Sequence, residues 1–139
     1  MFAALPLLAL PVLFYNLLAL SAPQGFRSVL AQDQMGRVLI DARTASGASW
    51  PIEMGDVLVF VSLVILFIEL LKSTTSRKLA IINHSLSMIL FVLCLVEFLL
   101  FPAFATSAFF LVTAMVLLDV LAGFIVTIAA SRRDIDLVR

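Results

Sequence analysis

The chain has a single cysteine, Cys94, and it lies inside an apolar run. A disulfide within the chain is excluded, as are a zinc cluster and a two-cysteine redox motif, because each needs a second thiol. Charge is scarce too: 13% of the 139 residues are charged, against roughly a quarter in soluble domains, and nine basic residues cancel nine acidic ones. With no net positive field, nothing recruits nucleic acid. The one histidine, His84, cannot by itself provide two axial ligands to a haem. No phosphate-binding glycine loop, metalloprotease helix motif or serine nucleophile elbow occurs. The sequence therefore predicts no catalytic residue, no metal and no cofactor.

What it has is apolar length. Hydrophobic residues make up 63% of the chain, so lipid is the expected solvent. A hydrocarbon core of roughly 30 Å takes about 20 apolar residues to span, and four stretches approach that: Met1 to Ala22, Val57 to Leu71 with its flanks, Leu79 to Phe101, and Ala103 to Ala130. The expectation is an all-α membrane protein, one domain over residues 1–139, built as a four-transmembrane-helix antiparallel bundle with helices at about 2–22, 55–72, 79–101 and 103–130. A turn around Pro102 makes a hairpin of the last two. The first stretch reads as a retained helix, not a cleaved signal: no Lys or Arg precedes it and its apolar run outlasts a signal core, although Ala19, Ser21 and Ala22 follow. Pro6 and Pro11 are expected to bend it or to mark a short unwound start.

Residues 23–54 form the one sizeable loop. Arg37 to Ala42 and Ala48 to Ile52 flank Ser46-Gly47, which predicts a small β-hairpin, and Gly25 to Met35 reads as a short surface helix. Trp50 is then an amphipathic anchor at headgroup level. Lys72, Arg77 and Lys78 crowd the second connection, Arg132, Arg133 and Arg139 follow the last span, and the third connection has no basic residue. Positive residues favour the cytoplasm, so both termini are expected there and the loop outside. Arg27, Arg37 and Arg43 in the loop are accompanied by Asp33, Asp41 and Glu53, and longer loops weigh less in that rule.

Residues alternately three and four apart share a helix stripe, and each span carries one polar or small stripe. These are Leu5, Ala9, Val12, Asn16 and Ala19; Gly55, Leu58, Ser62, Ile65, Glu69 and Lys72; Asn83, Ser87, Leu90, Cys94 and Glu97, with His84 at the edge; and Ala105, Ala108, Val112, Met115, Asp119, Ala122 and Val126, with Gly123 adjacent. Small and polar residues in one seam let helices approach and hydrogen-bond, so the stripes are expected to face one another. Counting about 1.5 Å of rise per residue gives three layers: Glu69, Asn83 and His84 on the cytoplasmic side, Ser62, Ser87 and Asp119 in the middle, Asn16, Cys94 and Glu97 toward the outside. Intramembrane polar groups are candidates for function, which singles out Asp119, Glu97, Glu69, His84, Asn83 and Asn16. For each the competing reading is structural: a side chain that fixes helix register by a hydrogen bond.

Trp50, Gly55-Asp56, Glu69, Asn83-His84-Ser85, Val96-Glu97-Phe98-Leu99 and the run from Asp119 to Phe124 resemble uncharacterised small four-helix inner-membrane proteins of proteobacteria, over roughly the last two thirds of the chain. That resemblance implies a bacterial inner-membrane address and no chemistry. Small multidrug transporters share the four spans, but their essential carboxylate lies in the first helix, where this chain has Asn16. Two functions follow as expectations: a structural or accessory subunit docking on other membrane subunits or on copies of itself, or a proton- or cation-coupled conduit with Asp119 and Glu97 as carriers.

Overall fold

The computed structural model describes residues 5–72 and 77–136, with side chains described except at 77–81, 126, 127 and 129–136. Among these residues three helices are long and apolar enough to cross a membrane: α3 (Met54–Lys72), α4 (Arg77–Leu100) and α5 (Ser107–Asp136). This is a membrane protein, mostly helical, with one small two-stranded sheet.

The first helix, α1 (Ala9–Leu20), is shorter than the expected 2–22, of which residues 2–4 fall outside the description. Its 12 residues give roughly 18 Å of length, short of the hydrocarbon thickness. Prolines set both ends. Pro11 lies in the first turn, where its missing N–H is harmless, but its ring would clash with a helical carbonyl four residues earlier. Residues 5–8 accordingly form turns, closed by Ala9 N–H to Pro6 O at 3.1 Å and Leu10 N–H to Leu7 O at 3.0 Å. Pro23 disfavours helical backbone at Ala22, and α1 ends before it.

A single 3-10 turn at Gly25–Arg27 and the short helix α2 (Leu30–Met35) lead into the predicted hairpin of β1 (Val38–Arg43) and β2 (Ser49–Glu53). The strands are antiparallel, with Ile40 opposite Ile52 and Ala42 opposite Trp50 on one face, Asp41 opposite Pro51 and Arg43 opposite Ser49 on the other. Gly47, at φ 85°, supplies the left-handed step that the turn needs. A bulge between Val38 and Ile40 drops Leu39 against an apolar groove between α1 and α3. β2 runs without a linker into α3, where Asp56 reaches back to the Glu53 N–H at 3.0 Å, one half of a capping box.

α5 is the apolar axis of the bundle, packed along both α3 and α4. Ala108, Val112, Met115 and Asp119 are buried as the stripe requires, yet Phe109, Thr113, Val116 and Val120 are buried as well. Val120 lies outside the predicted stripe, where a one-stripe helix would face lipid, yet it is 3% exposed, because a helix wedged between two neighbours buries two faces. Ala105, assigned to the stripe, is exposed because α5 begins only at Ser107, after a 3-10 turn at Pro102–Phe104. Leu5 is exposed for the related reason that it precedes α1. At the hairpin end of the bundle Tyr15, Phe26, Phe101, Phe104 and Phe109 form a ring cluster with centroids 4.8–6.5 Å apart, which seats the Pro102 turn against α1.

Candidate functional site

The predicted stripe of α3 is buried almost as written, at Gly55, Leu58, Ser62, Leu66 and Glu69. Gly55 is needed for this. A Cβ there would lie 3.2 Å from Met35 O and 3.3 Å from Ala108 Cβ, so α2, α3 and α5 converge on its bare backbone. Asn83, Ser87 and Cys94 of α4 are buried, with Glu97 half-buried at one end of the row.

The three layers become three cross-helix hydrogen bonds. In the first, Glu69 is fully buried and surrounded by donors: Asn83 Nδ2 donates to Oε1 at 2.7 Å, Lys72 Nζ approaches the same oxygen at 3.4 Å, and the Leu7 N–H donates to Oε2. Every neighbour donates, which suits an acceptor-only carboxylate. Lys72 also donates to Leu5 O at 2.9 Å, so this corner of α3 grips the turn ahead of α1 from two sides. In the second layer Ser87 Oγ donates to Asp119 Oδ2 at 2.5 Å, joining α4 to α5. The third joins α1 to α4, with Asn16 Nδ2 donating to Glu97 Oε2 at 3.2 Å and also to Val12 O, one turn back, at 3.1 Å.

Ser62, in the same layer, turns elsewhere: its hydroxyl donates to Leu58 O on its own helix at 2.7 Å and leaves Asp119 to Ser87. His84 departs further. Its ring rests on Gly123 and stands edge-on to Phe124, with centroids 4.4 Å apart and planes at 85°, and among the described residues neither ring nitrogen has a hydrogen-bond partner.

Tyr15 was not among the candidates, yet it is fully buried, and its hydroxyl donates to Ala103 O at 3.0 Å and lies 2.8 Å from Thr106 Oγ1. Its signal was its rarity: it is the chain's one tyrosine, three residues from Val12 and four from Ala19, on the buried face of α1. Two surface grooves, of about 440 and 350 Å³, open beside α3, and neither is lined by Asp119, Glu97 or Glu69. Among the described residues no group of three His, Cys, Asp or Glu is placed to hold a metal ion. The arrangement is chemically one of clasps: carboxylates and amides that tie α1, α3 and α5 to successive levels of α4. No protein family, curated protein or solved structure matches this chain.

Proposed function

We propose that the protein is a structural or accessory subunit of a membrane assembly, not an enzyme. The observation that supports this reading is the pairing of three acids with side chains of other helices, Glu69 with Asn83, Asp119 with Ser87 and Glu97 with Asn16. Acids used as clasps fix helix register; an acid used as a carrier needs a path along which its proton or cation leaves. The hairpin is the docking element. Ile40 and Trp50 are 60% and 58% exposed on its apolar face, and a two-stranded sheet alone is marginal in water, which favours a second membrane subunit or another copy of this chain against it.

In this reading the chain crosses the bilayer four times. Leu7 bonds to Glu69 at one end of the bundle and Asn16 bonds to Glu97 at the other, so the short α1 and its turns connect the same two layers as α4 does between Asn83 and Glu97. Both termini are cytoplasmic, from the basic residues after the second and fourth spans, and the resemblance to proteobacterial proteins supports an inner-membrane address. The test is flux. Protein reconstituted in sealed liposomes should leak protons and monovalent cations no faster than lipid alone, and Asp119→Asn should behave identically. A wild-type flux abolished by Asp119→Asn overturns the subunit reading in favour of the conduit.

A further inference from the structure

Among the described residues, three buried side-chain polar atoms lack a hydrogen-bond partner in the protein, and all three lie on one step of α4: Asn83 Oδ1 and both ring nitrogens of His84. Turning the Asn83 amide over does not cure this. Its nitrogen already donates to Glu69 Oε1, and the reversed amide would set its oxygen against a carboxylate oxygen. Asn83 is 6% exposed, so lipid headgroups do not reach it. Rotating the imidazole does not help either, because both nitrogens are unmet and a neutral ring needs one acceptor and one donor. The ring sits close against Gly123, where a Cβ would fall 2.2 Å from Nδ1.

In a bilayer no external solvent meets such groups, and orphaned polar atoms clustered on adjacent residues mark an internal ligand. The ligand must donate to an amide oxygen and be able both to donate to and to accept from an imidazole. Water does all three, and buried water typically makes two to four bonds of this kind. We propose that the Asn83–His84 step is an internal hydration site, with water held between α3, α4 and α5 by Asn83 Oδ1 and the His84 ring. Asn83 and Ser87 are one turn apart on α4, roughly 6 Å, so the hydration site lies beside the Glu69 layer and next to that of Asp119, and the inference does not rest on the subunit reading.

His84 is the chain's one histidine, so its ring gives an unambiguous spectroscopic signal. With ¹⁵N-labelled histidine in lipid nanodiscs, the imidazole should show a magnetisation-transfer cross-peak to water. His84→Phe keeps a ring and removes both nitrogens; it should lower Tm by several degrees, because the water loses its partners. An imidazole with no water cross-peak overturns the proposal whatever Tm does. A cross-peak with Tm unchanged or raised in His84→Phe also overturns it, since the ring nitrogens would then be holding nothing that matters to the fold.

Discussion

Replacing Glu69 by leucine should loosen the turn ahead of α1, and the structure sets the size of the effect. Leucine removes the acceptor of the buried Asn83 Nδ2 and of the part-buried Leu7 N–H, while Lys72 keeps Leu5 O at 2.9 Å. Cross-helix bonds in membranes average only about 0.6 kcal/mol, because a side chain usually finds another partner. Asn83 can partly do so. The Leu7 N–H cannot, since it is a backbone group following Pro6, and a stranded buried donor costs about 1–3 kcal/mol. The expected loss is about 2–4 kcal/mol, which at roughly 4 °C per kcal/mol for a chain of this length lowers Tm by about 8 °C or more. Glu69→Gln should cost far less. With the Asn83 amide turned over, the new amide donates to Asn83 Oδ1 and accepts from Leu7, so the loss should stay within about 1 kcal/mol, the value of one ordinary hydrogen bond. Thermal unfolding in mild detergent measures both, and amide exchange at Leu7 should accelerate only in Glu69→Leu. Equal losses for Gln and Leu, or a leucine variant melting within about 4 °C of wild type, would refute the clasp argument.

Gly123→Ala should drive the His84 ring off its seat and lower Tm, and adding His84→Ala should recover most of the loss; purely additive effects in the double variant would show that the two residues do not meet. Ala108→Leu should overpack the contact with Gly55 and cost about 1–3 kcal/mol, whereas Leu118→Ala, at a position 55% exposed, should change stability by less than about 0.5 kcal/mol; similar melting curves for the two would mean that the buried faces of α5 are misassigned. In a Cys94→Ser background, a cysteine at Ser46 should react with an impermeant thiol reagent in whole cells and one at Ser76, outside the described residues, should resist it; the opposite pattern reverses the orientation.

Helical phase was the most legible feature of the sequence. Glu69, Asn83, Ser87 and Asp119 could be put on facing stripes because a period near 3.6 and a rise near 1.5 Å fix direction and depth once the ends of a span are known. The same reasoning failed where the ends were wrong. Leu5 and Ala105 were phased into helices that do not reach them, since Pro11 and the Pro102 turn decide where α1 and α5 begin. Pairing inside a layer was less legible than the layer. Ser62 and Ser87 are equivalent on paper, and the choice between an acid on another helix and a carbonyl four residues back depends on rotamer and crossing geometry. Tyr15 escaped notice because a single aromatic in an apolar run looks like lipid-facing bulk until the carbonyl that meets its hydroxyl, 88 positions away in sequence, is located. Val120 shows the limit of a one-stripe picture, because the number of neighbours around a helix is a property of the fold and not of that helix.

The clasps also impose an order on synthesis. Asp119 meets a serine already in the membrane when α5 emerges, and Glu69 waits only 14 residues for Asn83. Asn16 has to wait 81 residues for Glu97, on the order of 4–16 s at roughly 5–20 residues per second on the ribosome. During that interval the short first helix has neither its polar tie to α4 at Glu97, nor the Tyr15 bonds to Ala103 and Thr106, nor the ring cluster around Phe104. A nascent chain stalled between α3 and α4 therefore has its first segment held only at its start, by Leu7 on Glu69 and Leu5 on Lys72, with Glu69 still lacking its Asn83 donor.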